Sequence, residues 1–341
     1  MKRVGVWICV VMLLAAFSIF ANGSQENSAA TPASTKKVTY KITFNEPFTR
    51  PHTLAEAANK FKEIVEKNTN GGITVDVYYG GVLGTSQAAL EAVQTGTQTL
   101  VDAATAPIVA FEPAFGVLNL PYLFSSRNQW YSVLDGPLGQ DLLKKLEPKG
   151  FVGLAYLENG VRHVTNNIRP ITKWEDLNGI KIRLMQSPVF IATFQAFGCL
   201  TTTTPFSELY SALQQKVVDG QENPVSNIEN AKLYEVQKYL SLTGHTYDPN
   251  IYFINKKFFD SLPADYQKIV RDAAHEVAVW QRQAAKDSEA SILTELGKHL
   301  QINEVSPAEI TRFREKCKNV YESQSATIGK DVVDAWMQAV K

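Results

Sequence analysis

The chain has 341 residues, of which 45% are hydrophobic and 20% charged, with 34 Lys+Arg against 34 Asp+Glu. That balance belongs to a folded globular protein and excludes a disordered one, and the length suggests about two domains. Zero net charge excludes an overall basic field for nucleic acid or an anionic membrane surface.

Residues 1–21 read as a signal peptide. Lys2 and Arg3 form a basic start, Val4 to Phe20 is almost wholly apolar, and Ala21 precedes a polar Asn-Gly-Ser. Export to the periplasm is therefore expected. Cys9 lies too early to be the lipid-bearing residue of a lipoprotein. Residues 22–37, rich in Ser, Ala and Thr, read as a flexible linker. Two cysteines follow, Cys199 and Cys317. An oxidising compartment permits a bridge, but spacing alone leaves their pairing open, and burial is the expected fate of Cys199.

From Val38 strand and helix patterns alternate. Val38 to Phe44 alternates with period two. Thr53-Leu-Ala-Glu56 has the spacing of a capping box, and Ala57, Phe61, Ile64 and Val65 form a helical stripe behind it. Gly71-Gly72 stops that helix. Ile73, Val75 and Val77 alternate as the next strand, Gly80-Gly81 turns the chain, and Ser86 to Gln94 is helical with Leu90 and Val93 facing inward. Leu100 to Ala104 reads as a short strand. A second wave places strands at Phe151–Tyr156, Ile180–Leu184, Val217–Asp219 and Ile251–Asn255, and helices at Pro188–Phe197 and Ser207–Gln214. Pro205 is suited to start the latter helix. Pro263 to Leu300 is strongly helical, with a break near Asp287 left open, and Pro307–Lys318 and Ile328–Val340 close the chain in helix. The alternation predicts an α/β architecture with mostly parallel sheets.

Enzyme motifs are missing. There is no phosphate loop, no dinucleotide fingerprint, no G-x-S-x-G elbow, no C-x-x-C pair, and no second His at zincin spacing from His275-Glu276. The five histidines are scattered, so no metal or other cofactor is expected. Two segments carry ligand chemistry. Arg183 ends a strand just before a Pro-started helix, where open α/β sheets bind ligands, and its planar fork fits a carboxylate. A solvated surface ion pair is the other reading of it. Asn223 lies in Val218-Asp-Gly-Gln-Glu-Asn-Pro224, read as a strand ending in a polar turn. It offers hydrogen bonds to a ligand, or serves only as a turn former before Pro.

The run Glu208-Leu-Tyr-Ser-Ala-Leu-Gln-Gln-Lys-Val-Val-Asp-Gly-Gln-Glu-Asn-Pro224 resembles the signature of the solute-binding subunits of tripartite ATP-independent periplasmic (TRAP) transporters. Tyr234-Glu-Val-Gln-Lys-Tyr-Leu240, the Val161–Pro170 segment and Lys181-Ile-Arg183 agree with it in order and spacing. The resemblance implies an α/β fold of two lobes with a ligand cleft between them and a long helix spanning both. Lobe one would hold 38–159 and 249–288, and lobe two 160–248 and 289–341. It implies that Arg183 pairs with a ligand carboxylate and that Arg162 is a second ligand-side arginine. Asn223 would hydrogen-bond the same carboxylate, with Gln186, Phe206 and Asn45 as further contacts. Sialic-acid-binding members carry a Glu where this chain has Ala104, so Thr105 would supply a hydroxyl instead. Arg183-Leu-Met-Gln-Ser-Pro188 and Leu242–Tyr247 look more like members that take sugar acids such as hexuronates, with four-carbon dicarboxylates as the alternative. His245 and Tyr247 fall near the lobe crossover, as hinge packing or as ligand contacts. The implied partners are a small carboxylate and the integral membrane subunits of a transporter; no nucleic acid is expected, and the protein is expected to be a monomer. A ligand sensor, or a secreted α/β enzyme using His163 or His245 as base, is the rival class.

Overall fold

The computed structural model describes residues 39–341. The expected signal peptide and all of the expected linker lie outside them. The first part of the chain runs β1 (Tyr40–Asn45), α1 (Thr53–Asn68), β2 (Ile73–Tyr78), α2 (Ser86–Thr95), β3 (Leu100–Ala104), α3 (Thr105–Ile108), α4 (Arg127–Asp135), α5 (Pro137–Lys144) and β4 (Phe151–Asn166). Then come β5 (Lys181–Leu184), α6 (Pro188–Ala196), β6 (Leu200–Thr203), α7 (Phe206–Gln214), β7 (Gly220–Pro224), α8 (Val225–Asn230) and β8 (Tyr239–Asn255). The chain closes with α9 (Lys256–Ser261), α10 (Ala264–Leu296), β9 (Gln301–Glu304), α11 (Pro307–Lys316), α12 (Lys318–Ile328) and α13 (Lys330–Ala339). Among the described residues no helix is long and apolar enough to cross a membrane.

The strands form one sheet in the order β2-β1-β3-β8-β4-β7-β5-β6, with β9 added to β8. The outer pairings are parallel, as expected. Its spine is not. β4 and β8, 16 and 17 residues long, run antiparallel along each other, and each also pairs antiparallel with a neighbour. Periodicity predicts only one end of this ribbon, where Phe151–Tyr156 runs beside Ile251–Asn255. Glu158, Asn159, Arg162 and Asp248 interrupt the apolar alternation, yet all are buried. The ribbon shifts register between Glu158 and Gly160, where Glu158 pairs with Pro249 and Gly160 with Asp248.

α10 is continuous through Asp287 for 33 residues, which at about 1.5 Å per residue makes about 50 Å. Its first half buries Val270, Ala273, Ala274 and Val277 against the apolar cluster of β1, β2 and α1. Its last turn buries Leu296 with Leu209, Leu213 and Ile228 of α7 and α8. Midway, Gln281 is buried and bonds both peptide groups of Glu158 at 2.8 Å, which fixes the helix to the register shift. Cys199 and Cys317 are both free and buried.

Three local expectations change. His52, not Thr53, caps α1: its Nδ1 accepts from the Leu54 N–H at 3.2 Å, while Glu56 accepts from Arg50 Nε at 2.6 Å. Pro205 occupies the cap position of α7, and that helix starts at Phe206. The expected strand Val217–Asp219 is a bend, and the polar run after it is the strand. All five residues of β7 are buried, because it is held between β4 and β5. Pro224 pairs with Arg162 at the strand's end, where a missing N–H does least harm.

Gly220 is dictated by that crowding. A Cβ there would stand 2.3 Å from the Thr165 carbonyl oxygen and 2.7 Å from Asn166 Cβ. Gly220→Ala is expected to destabilise the protein by about 1–3 kcal/mol through forced backbone shifts. Urea denaturation checks this, and an unchanged midpoint would mean that β7 can move away freely.

Candidate ligand-binding site

β5 alternates, so Ile182 and Leu184 enter one core and Arg183 faces the other side of the sheet. Arg183 is only 2% exposed. Its Nε donates to the Thr204 carbonyl at 2.7 Å, and Nη2 donates to the same oxygen. A residue before proline is biased toward extended backbone, which suits Thr204 to present its carbonyl here. Nη1 is buried without a protein partner. Burial lowers the Arg183 pKa to about 10, with Glu222 opposing the shift and Arg162 adding to it, so the side chain is a cation at neutral pH.

Arg183 lines a cavity of about 350 Å³. One wall comes from the turns after β1 and β2 and from the start of α2, with Pro47, Thr49, Gly81, Ser86 and Gln87. The opposite wall carries Gln186, Thr203, Phe206, Tyr210 and Asn230. Among the described residues that line it, Arg183 alone is charged; the other polar groups are hydroxyls, amides and backbone.

Of the residues singled out from sequence, the structure brings Arg183, Gln186 and Phe206 to this cavity. Asn45 lies behind the wall and donates to the Gly84 carbonyl at 3.3 Å. Thr105 is fully buried and accepts from Asn119 Nδ2 at 2.9 Å, while Asn119 in turn accepts from Ser187 at 2.9 Å. Arg162 and Asn223 are adjacent to each other rather than on the lining. The Arg162 guanidinium reaches Asp248 at 2.6 Å, the Glu222 carboxylate through Nε and Nη2, and Asn223 Oδ1 at 3.1 Å. All three guanidinium nitrogens are therefore engaged. Sequence reasoning misses Glu222 and Asp248; for Glu222 the reason is that its run reads as the polar turn at a strand's end. The available signal was Glu222 itself, an acid in the same short run as Asn223, which needs a cation once that run is a central strand.

The histidines are structural here. Nε2 of His52 donates to Asn227 Oδ1 at 3.1 Å, and Nδ1 of His163 accepts from the Gly244 N–H at 3.0 Å. His245 lies between Thr243 at 2.9 Å and Glu222 at 3.1 Å. Burial lowers the pKa of His52 to about 4 and of His163 to about 3, and it also lowers that of His245 against the pull of Glu222. Tyr247 packs tilted against Trp130, with ring centroids 5.5 Å apart and an interplanar angle of 53°. A depressed folded pKa contributes stability that is complete above the unfolded value, about 6.5 for His, and is lost as pH falls toward the folded one. Acidification from about pH 6.5 toward about pH 4 should therefore destabilise the protein by about 1.4 kcal/mol per pH unit for each of His52 and His163. Urea titrations across that range test it, and His52→Gln should flatten the slope.

The chain matches the profile of the bacterial extracellular solute-binding proteins, family 7 (DctP), over residues 44–327. It belongs to that family. A solute-binding protein of Verminephrobacter eiseniae is 43% identical over 240 residues, 70% of this chain and 72% of its own length. The 2,3-diketo-L-gulonate-binding periplasmic protein YiaO of Escherichia coli is 36% identical over 237 residues, 70% of this chain and 72% of its own. The crystal structure of the sugar acid binding protein DctPAm from Advenella mimigardefordensis, in complex with galactonate, superimposes with a TM-score of 0.86 at 37% identity, covering 89% of this chain and 98% of that one. The chain is thus a TRAP solute-binding protein with the α/β fold of that two-lobed family, and a binding protein rather than an enzyme.

Proposed function

We propose that this protein captures a monocarboxylic sugar acid, of the hexuronate or aldonate kind, and delivers it to the membrane subunits of a TRAP transporter. One observation carries the choice of ligand. The cavity offers a single positive charge, Arg183, and otherwise neutral hydroxyl and amide groups. One carboxylate is matched by one guanidinium, and a polyhydroxylated chain is matched by Thr, Ser, Gln, Asn and Tyr. A four-carbon dicarboxylate would bury a second charge against neutral groups, which is costly. The galactonate complex of DctPAm and the diketogulonate name of YiaO agree with this reading.

Capture proceeds by hinge closure of two lobes, 38–159 with 249–288 and 160–248 with 289–341. The register shift at Glu158–Gly160 and the pairs Glu158 to Pro249 and Gly160 to Asp248 support those crossover points. Arg183 and Asn223 lie in lobe two. Closure excludes water and so strengthens the charge-assisted bonds to the ligand. Export by the signal peptide puts the protein in the periplasm, as a monomer.

The test is a melting-temperature screen of D-galacturonate, D-galactonate, D-erythronate and succinate, followed by calorimetry. A native-state ligand at a hundred times its Kd stabilises by about 2.7 kcal/mol. A sugar acid is expected to shift the transition while succinate does not. A shift with succinate alone would replace this reading by the dicarboxylate one, and turnover of the bound compound would replace both by an enzyme.

A further inference from the structure

Glu46 and Asp102 are both 0% exposed. They lie on neighbouring parallel strands: Phe44 pairs with Leu100 and Asn45 with Val101, so the next step sets Glu46 beside Asp102. Asp102 also stands opposite Tyr252 of β8, on the face covered by α1. Each carboxylate has one satisfied oxygen. Glu46 Oε1 accepts from the Phe48 N–H at 3.0 Å, and Asp102 Oδ1 accepts from Asn250 Nδ2 at 2.9 Å. Glu46 Oε2, Asp102 Oδ2, the Tyr252 hydroxyl and Asn250 Oδ1 are buried with no partner.

Among the described residues no Lys, Arg or His neutralises either acid. The titratable groups that face the pair are Tyr252 from β8 and Tyr79 from the turn after β2, and Arg50, Glu56 and Glu63 surround Tyr79. Two ionised carboxylates cannot sit side by side in such a place. Something positive must lie between them. A calcium ion takes six to eight oxygens, more than the four unpartnered ones here. A proton needs two.

We propose that Glu46 and Asp102 share one proton, with the Glu46 carboxyl donating to Asp102 Oδ2, and that this proton makes Glu46 a positioning residue for the cavity wall. The Glu46 N–H donates to the Tyr78 carbonyl, and its own carbonyl accepts from the Gly81 N–H, both at 2.9 Å. Its side chain holds the Phe48 N–H. Pro47, Gly80 and Gly81 line the cavity, so Glu46 ties this part of the wall together without touching a ligand. Loss of the proton puts two negative charges side by side and drives Glu46 from Asp102. Burial, the larger cause, raises both groups, Asp102 to about 7 and Glu46 well above the carboxylate range.

The sign follows. Both folded values lie above the unfolded ones near about 4, so the stabilisation is complete below that value and is lost as pH rises through the folded values. From about pH 7 upward, until Glu46 gives up its proton, the folded chain holds a proton that the unfolded chain lacks, and the unfolding constant should grow about tenfold per pH unit from this pair.

The experiment is urea unfolding of the ligand-free full chain across that range, wild type against Glu46→Gln. The amide of Gln donates to Asp102 without holding a titratable proton, so the tenfold slope should vanish. Cysteines and tyrosines contribute equally to both proteins. Hydrogen exchange of the Tyr78–Gly84 segment, corrected for intrinsic rates, should lose protection toward alkaline pH in the wild type only. Equal slopes, or equal exchange, would overturn the proposal. Should Glu46→Gln fail to fold, the infrared spectrum of the wild type at about pH 7 decides: the C=O stretch of a protonated carboxyl is expected, and its absence overturns the idea. Stabilisation by added calcium at fixed pH would also overturn it, in favour of a metal bridge. None of these readouts uses a ligand, so an error in the proposed ligand class leaves them intact.

Discussion

Arg183→Lys is expected to weaken binding of the sugar acid identified by the melting screen by roughly 30-fold or more. Removing one partner of a buried charge pair typically costs ~2–5 kcal/mol, or roughly 30-fold to several-thousand-fold in Kd. Lysine keeps a charge, so the low end is the fair expectation, but it cannot copy the arrangement. Arg183 uses Nε and Nη2 to anchor on the Thr204 carbonyl and still presents the Nη1 edge. An ammonium has a single nitrogen for both tasks. Calorimetry with that acid is the check. The ligand-free stability of the variant should change little by comparison. Near-normal affinity would show that no paired grip on a carboxylate exists.

Arg162→Met should act on the ligand-free protein instead. It leaves Glu222 and Asp248, both fully buried, without their shared cation. Breaking a buried ion pair in this way costs about 3–5 kcal/mol, a large share of the ~5–15 kcal/mol that holds a typical domain. The urea midpoint of the ligand-free variant should therefore fall steeply, with partial recovery as acid protonates the two carboxylates. Wild-type stability without ligand, combined with lost affinity, would instead mark Arg162 as a ligand-side group, as the family resemblance implies. The two variants together separate grip from support, since Arg183 lines the cavity and Arg162 does not.

Legibility followed periodicity. Stretches with a clean period, such as Ile73, Val75 and Val77 or the helix with Leu90 and Val93, took the structure the pattern predicted because one face meets a core. Gly80 and Gly81 turn the chain at positive φ as expected. The pattern failed where polar residues are buried. In β4, β7 and β8 the side chains of Arg162, Glu222 and Asp248 satisfy one another across strands, 60 and 86 residues apart along the chain. Each alone looks like a surface group, and only their meeting makes a central strand of each segment. The same holds at the cavity. Arg183 is legible because it ends a strand, and Gln186 and Phe206 follow only from the family resemblance, whereas Thr49, Ser86 and Asn230 arrive from a turn and two helix ends far apart in the chain.

The sequence by itself determined the α/β class, the long helical stretch from Pro263 and the motif run that marks the family, because these depend on local spacing and composition. Which arginine faces the cavity, which acid neutralises the other, and how two buried carboxylates come to lie together were decided by the tertiary structure. Charge pairing acts through space and is blind to separation along the chain.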